Sequence, residues 1–436
     1  MTHDSAQGDR TQGAAAGSGT AAPRLTTAEV AERLGVKPET VYAYVSRGQL
    51  ASRRAPGGRG STFDAAEVDA LARRTARREP SPSAPGDLVF RTGITLITPD
   101  RYFFRGVDAT EIARRHTYEE VAEWLWTGEL RPGIRFVAAP EPLAAARRTA
   151  ATLPPHSSST DRLRAAVAAA ASADPLRFDL SPAGVLTSAR SLIPTLVGAL
   201  PAVGEPDDTE VASLAAALWP KLSARPADSA SLAVLDAALV LLADHDLAAS
   251  TLAARVAAST HAHPYAVVSA GLGVLEGPLH GAASGQAHRM LREVVDRGSA
   301  APVVADHLRT GRRVPGLGHR LYTGEDPRAG VLFALLAEMP EAAPVISAAR
   351  DVVATTARHS ALHANVDLAL AVLSVACGMP AETGETVFAV SRTAGWIAHA
   401  MEEYAEQPLR MRPSGQYTGP RPPQPLPAPE TPVPGT

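Results

Sequence analysis

Apolar positions recur at helical spacing along most of the chain. Leu232, Val234, Leu235, Ala238, Leu239 and Leu242 belong to one such pattern, running over 231–260 and interrupted by Asp244-His245-Asp246. Further helices are predicted over 109–115, 118–126, 264–275, 283–297, 329–338, 345–358, 366–377 and 385–404. Ile112, Val121 and Leu125 are candidate core positions of the first two. The alanine-rich stretch 133–230 reads as helices broken at Pro154-Pro155, Asp174-Pro175 and Pro206. Residues 91–97 alternate enough for a short strand or extended piece. The fold class is therefore mostly α, with little sheet.

The first 24 residues are mostly Gly, Ala, Ser and Thr and are expected to be disordered. Residues 25–78 read as a small domain of their own. Thr26 or Thr27 can cap a helix that places Val30, Ala31 and Leu34 on one face. Gly35-Val36 makes a sharp turn, and Pro38 opens a second helix with Val41, Tyr42 and Val45. A basic glycine loop from Arg53 to Gly60 leads through Thr62-Phe63-Asp64 into a third helix, from Ala65 to about Arg78. This arrangement resembles the helix-turn-helix of mercury-resistance-regulator or excisionase-type proteins, with the loop as wing. On that resemblance, Arg53, Arg54 and Arg59 track phosphates, while Thr40, Tyr42 and Arg47 reach base edges or phosphates. A helical appendage that binds protein would show the same pattern. The proline-rich stretch at 79–86 is a stiff linker, and 420–436 reads as an unfolded proline-rich tail.

The 436 residues suffice for two or three domains with a sizeable core. A net charge of -3 excludes a uniformly basic nucleic-acid coat. Cys377 is the only cysteine, so an internal disulfide is excluded and a reducing, cytoplasmic compartment fits. No Cys/His cluster has zinc-ligand spacing, so no metal is expected. No apolar run is long enough for a transmembrane helix.

The chemistry concentrates in a loop, Val314-Pro-Gly-Leu-Gly-His-Arg-Leu-Tyr-Thr-Gly-Glu-Asp-Pro-Arg328. Its glycines and prolines exclude helix and strand and hold His319 between arginines. An imidazole beside guanidiniums suits an anionic substrate with a polarisable carbonyl. Two more segments stand with it: Gly277-Pro-Leu-His-Gly-Ala-Ala283 and His363-Ala-Asn-Val-Asp-Leu368. Supporting pieces are Phe104-Arg-Gly-Val-Asp108, Ala243-Asp-His-Asp246, Arg392-Thr-Ala-Gly-Trp396 and Arg412-Pro413 with Tyr417-Thr-Gly419. In this order, over residues 87–419, they resemble the citrate synthase family.

The resemblance implies an obligate homodimer of two-domain helical subunits. A large domain would span 87–282 and 379–419, and a smaller one, 283–378, would close over it. It implies joining acetyl-CoA to oxaloacetate with no cofactor, the acyl-CoA being a substrate. His280, His319 and Asp367 match the catalytic set. His245, Arg328, Arg392 and Arg412 match the oxaloacetate ligands, Arg412 serving the partner subunit. Main chain around Arg313, Val314, Gly316 and Leu317 matches the coenzyme A loop.

Read alone, each residue has a plainer alternative. Asp367 also reads as a solvent-facing first-turn aspartate, His280 as a helix cap, His245 as a core histidine, and Arg392 and Arg412 as surface arginines. Burial would raise the Asp367 pKa and a helix N-terminus would lower it, so its direction is open. Ala248, Ala282, Ala364 and the run Leu368-Ala369-Leu370 depart from the family pattern. They leave open a 2-methylcitrate synthase using propionyl-CoA. The N-terminal domain leaves open a DNA-binding regulator whose synthase-like part senses metabolites.

Overall fold

The computed structural model describes residues 24–34, 36, 38–46, 50–54, 60–76, 90–203, 213–277, 283–411, 416, 418–421 and 424. The expectations for the N-terminal segment, the linker, Pro206 and most of the tail lie outside these residues. The chain divides into two compact units, one through Phe90 and one from Arg91.

In the first unit β1 (Arg24–Thr26) leads into α1 (Thr27–Leu34) and α2 (Pro38–Ser46). Then come β2 (Ser52–Arg54), β3 (Ser61–Asp64) and α3 (Ala65–Ala76). Thr26 and Glu29 cap α1 reciprocally: the Thr26 N–H donates to Glu29 Oε2 at 2.7 Å, and the Glu29 N–H reaches Thr26 Oγ1 at 3.4 Å. Asp64 Oδ1 caps α3 by accepting from the Ala66 N–H at 2.8 Å. Val30, Val41, Leu50, Phe63, Val68 and Leu71 form one small core. Arg53 and Arg54 correct the loop expectation. They lie in a strand, because β2 pairs antiparallel with β3 with Arg53 opposite Thr62. β3 also pairs β1, so the wing grows from a three-stranded sheet. Tyr42 is 56 % exposed, so it belongs to the outer face of α2 and not to the core.

The second unit opens with an antiparallel meander, β4 (Thr95–Ile97), β5 (Tyr102–Phe104) and β6 (Val107–Asp108). Helices α4 (Ala109–Ala113), α5 (Tyr118–Thr127), α6 (Pro140–Ala151) and α7 (Ser159–Ala173) follow. Next come α8 (Pro182–Ala199), α9 (Leu214–Leu222), α10 (Ser229–Leu242), α11 (Ala249–Ser259) and α12 (Pro264–Leu275). The rest are α13 (Ala283–Arg297), α14 (Ala300–Arg309), α15 (Pro327–Leu336), α16 (Ala343–Ala357), α17 (Val366–Ala376) and α18 (Thr383–Tyr404). No single helix among the described residues is long and apolar enough to cross a membrane.

α18 is the spine of this unit. Arg392, Trp396 and His399 on it are fully buried. It packs on α5, α8, α10, α11 and α12. Gly395 allows its closest approach. The Gly395 N–H donates to the Ala243 carbonyl at 3.0 Å, and a Cβ there would collide with Ala243 and Asp244. The polar break Asp244-His245-Asp246 thus lies directly on α18, with Asp246 at φ +55°.

Candidate active site

Two loops are stitched together by main chain. The Gly318 N–H donates to the His363 carbonyl at 2.8 Å, and the Asn365 N–H donates to the Gly316 carbonyl at 3.0 Å. Asn365 adds a side-chain bond, Nδ2 to the Gly318 carbonyl at 2.9 Å. Its Oδ1 accepts from the Asp367 and Leu368 N–H groups at 3.0 and 3.3 Å and so caps α17. Gly316 has φ +79°, and an added Cβ would stand 2.9 Å from Leu368 Cβ. Backbone sign and contact both demand glycine there.

His319 sits on this platform. Its Nδ1 accepts from the Leu321 and Tyr322 N–H groups at 3.1 and 3.4 Å. The proton of the neutral ring is therefore on Nε2, available as a donor. Burial first, then the Arg328 charge, push its pKa down to about 4. It is neutral at pH 7. Tyr322 stacks on it with centroids 4.8 Å apart, and the Tyr322 hydroxyl lies 2.8 Å from His245 Nε2. The His245 and His319 rings meet edge to face at 5.4 Å. Burial, followed by Arg328 and Arg392, holds His245 well below the usual histidine range. His245 is thus a neutral hydrogen-bonding group.

Arg328 is buried and forked onto Asp326, with Nε–Oδ1 at 3.0 Å and Nη2–Oδ2 at 2.8 Å. Asp326 Oδ2 also accepts from the Val366 N–H at 3.1 Å, tying α15 to the start of α17. Burial would raise the Asp326 pKa, but the charge and hydrogen bonds of Arg328, with His319 and the Val366 N–H, together hold the carboxyl low. Arg392 donates Nε to the Leu242 carbonyl at 2.8 Å and lies 4.4 Å over the Phe388 ring. Its Nη2 is buried without a hydrogen-bond partner among the described residues. Burial, then repulsion from Arg328, lowers its pKa to about 10.

Asp367 lies in the first turn of α17, within the field of Arg328. The open question of its pKa is answered by burial, which raises it to about 6 against the opposing pull of Arg328. A raised carboxyl contributes stability below its unfolded pKa and loses it as pH rises through the folded value. Asp367→Asn should therefore stabilise the protein at pH 8 by about 1–3 kcal/mol and change little at pH 4. The carboxyl keeps some contact with solvent, so the lower figure is favoured. Urea unfolding at both pH values checks this; equal shifts at the two would refute the burial argument.

His280 and Arg412 lie outside the described residues, as do Arg47 and Arg59. Val314 is buried, whereas Arg313 is exposed beside a cleft of about 540 Å³ lined by Gln286, Arg289, Glu293, His307, Arg312 and Arg313. Sequence reasoning assigned no role to Tyr322, Asp326, Arg289 or Arg312. Asp326 was visible in the Asp-Pro-Arg motif; Tyr322 had no signal beyond standing three residues after His319. In the first unit Thr40 is half-buried, and Arg53 and Arg54 are exposed. Among the described residues no group of His, Cys, Asp or Glu is placed to hold a metal ion.

Comparison with known proteins adds two matches. Residues 86–414 match the family model for the citrate synthase C-terminal domain, and residues 24–76 match a helix-turn-helix domain model. Citrate synthase of Haloferax volcanii is 33 % identical over 361 residues, covering 77 % of this chain and 94 % of that protein. A putative citrate synthase 2 of Mycobacterium tuberculosis is 36 % identical over 230 residues, 52 % of this chain and 61 % of that protein. The crystal structure of Thermotoga maritima citrate synthase is 26 % identical with a TM-score of 0.60, covering 80 % of this chain and 98 % of that one. The fold also matches a Thermoplasma acidophilum citrate synthase in ternary complex with carboxymethyl coenzyme A and oxaloacetate. There the TM-score is 0.63 at 24 % identity, over 80 % of this chain and 98 % of that one.

Proposed function

This chain belongs to the citrate synthase family and is a citrate synthase-type acyltransferase, and we propose that Asp367, His319 and His280 carry its chemistry. Such a reaction needs no cofactor beyond the acyl-CoA substrate. The Asp367 carboxylate takes a proton from the thioester methyl group. His280 donates a hydrogen bond to the thioester oxygen as negative charge gathers there. The resulting carbon nucleophile attacks the keto carbon of oxaloacetate, and His319 Nε2–H donates to the keto oxygen. Water then cleaves the thioester and releases CoA and citrate.

Arg328 and Arg392 bind the two oxaloacetate carboxylates with His245, and Arg412 of the partner subunit completes the set in a homodimer. Arg328 uses Nε and Nη2 on Asp326 and keeps Nη1 for substrate. The cleft beside Arg313 takes the CoA phosphates, with Arg289 and Arg312 as added cations. Residues 283–378 form the smaller domain that closes on the larger one, residues 87–282 and 379–419.

The observation that carries this reading is the neutral, Nε2-protonated His319 set among Arg328, His245 and a raised Asp367. Release of free thiol from acetyl-CoA with oxaloacetate tests it. A parallel arm with propionyl-CoA decides between citrate and 2-methylcitrate synthesis. No thiol release from either would leave the metabolite-sensing regulator as the better reading.

The helix-turn-helix match supports a DNA-binding role for the first unit. Thr40, Tyr42 and Arg47 would face the bases, and Arg53, Arg54 and Arg59 the phosphates. Full-length protein should retard the DNA upstream of its own gene at low salt and lose it at moderate salt, because cations displace counterions. Protein lacking residues 1–85 should keep full thiol release and bind no DNA. Absence of retardation even at low salt would sink DNA binding; loss of turnover in an intact truncated dimer would sink the separation of roles.

A further inference from the structure

The turn that carries His245 hangs on a buried carboxylate for which the proposed chemistry has no use. Asp244, fully buried, accepts through Oδ2 from the Thr95 hydroxyl of β4 and from the Asp246 N–H at 3.2 Å. The second bond closes the turn on itself around His245 and holds Asp246 at its left-handed φ of +55°. Oδ1 faces His399 Nε2 of α18 at 3.3 Å. Neither of these two atoms has an aligned hydrogen bond elsewhere among the described residues.

His399 is itself fixed from behind. Arg255 of α11 donates Nη1 to His399 Nδ1 at 2.9 Å and to Glu402 Oε2 at 2.7 Å, and its Nη2 reaches the buried Glu403 Oε2 at 3.1 Å. A guanidinium can only donate, so Nδ1 accepts and the ring proton is on Nε2, toward Asp244. Burial would raise the Asp244 pKa, but His399, Arg392 and the Thr95 hydroxyl together hold it low, and the group stays a carboxylate. A second link runs to Arg392. Its Nε donates to the carbonyl of Leu242, just before the turn, and the Asp244 charge supports it against burial. One carboxylate thus acts on both His245 and Arg392. Buried polar networks add little net stability, because desolvation offsets their attraction, but fully connected they hold a single geometry. As a charge alone Asp244 would be a hindrance, since an anion beside the site repels a dianion.

We propose that Asp244, oriented by His399, is a positioning residue for the keto diacid: it fixes the turn that presents His245 and keeps Arg392 set for a substrate carboxylate. This rests on the reading that His245 and Arg392 bind oxaloacetate. Asp244 touches no substrate; it acts through those two side chains.

Oxaloacetate affinity, read by calorimetric titration of the full chain without acyl-CoA, tests it. Asp244→Asn keeps the shape and removes the charge. It should weaken oxaloacetate binding about 10- to 100-fold, as expected for displaced binding groups, while the KM for acetyl-CoA stays within about threefold. The charge effect alone has the opposite sign, because removing an anion should tighten the binding of a dianion. Asp244 is buried, so two variants of His399 decide the matter if Asp244→Asn does not fold. His399→Gln keeps an N–H at the place of Nε2, whereas His399→Asn reaches only the place of Nδ1. His399→Asn should weaken binding about tenfold, and His399→Gln should stay within about threefold of wild type. Unchanged or tighter binding in Asp244→Asn would overturn the proposal. So would a matching rise in its KM for acetyl-CoA, which marks a general defect of the fold. Equal losses in the two His399 variants would overturn it as well, because His399 then only fills space. Arg392→Met is the reference. If it weakens binding and Asp244→Asn does not, the site stands and the role of Asp244 fails; if it leaves binding unchanged, the reading of the site fails and the proposal with it.

Discussion

Asp367→Ala should lower kcat by about two to four decades, the usual contribution of a positioned acid–base group, with far less change in substrate affinity. The loss falls on kcat because the proton moves only in the transition state. A pH signature accompanies it. With the Asp367 pKa pushed up to about 6, kcat/KM of the wild type should fall as pH drops through that value. His319, at about 4, and His245, held well below the usual histidine range by burial, stay neutral throughout and contribute no limb there. The groups around Asp367 set the direction. Arg328 opposes the rise, and Asp326 and burial favour it. A variant turning over at the wild-type rate, or a flat profile between pH 5 and 8, would remove Asp367 from the role of base.

The helices bounded by proline and glycine were legible in the sequence. Residues 264–275 open on Pro264 and close before Gly277, and the structure starts and stops α12 there. α14 was not legible: its buried face is little more than Ala300, Val303 and Val304, too short a stripe to show a period. The strands β5 and β6 were hidden for a related reason. They are three and two residues long and are held by pairing with each other and with β4.

At the site, the residue types were readable from the motifs, but their electrical state was not. The proton position on His319 depends on two N–H groups that fold back onto Nδ1. The rise of Asp367 depends on how much protein surrounds α17's first turn. Tyr322 joins His319 and His245 across 77 residues of sequence, and Glu403 joins Arg255 across 148. No local pattern encodes such partners; they exist only once α18 has packed against the Asp244 turn and α11.

Arg392→Met should lower kcat/KM for oxaloacetate by about 10²–10³ and yet leave the fold as stable as the wild type or more so. The two halves have one cause. Arg392 is fully buried and makes no ion pair at contact distance among the described residues; Asp244 offsets only part of the burial cost, Nη2 has no hydrogen-bond partner among those residues, and Arg328 repels it. The depression of its pKa to about 10 means that the folded protein without substrate holds this cation at a cost of about 3 kcal/mol. Methionine of similar length keeps the packing over Phe388 and removes the charge, forfeiting the bond to the Leu242 carbonyl and the attraction of Asp244, which together are smaller than the burial cost. Substrate reverses the balance. A carboxylate at Nη2 gains a desolvated, charge-assisted bond, and losing one partner of such a pair costs about 2–5 kcal/mol of binding. Oxaloacetate should accordingly raise the urea midpoint of the wild type and leave that of Arg392→Met unmoved. If the variant unfolds more readily than the wild type without substrate, the unpaired cation is not a strain on the fold. If its KM for oxaloacetate stays within threefold, Arg392 does not hold the keto diacid.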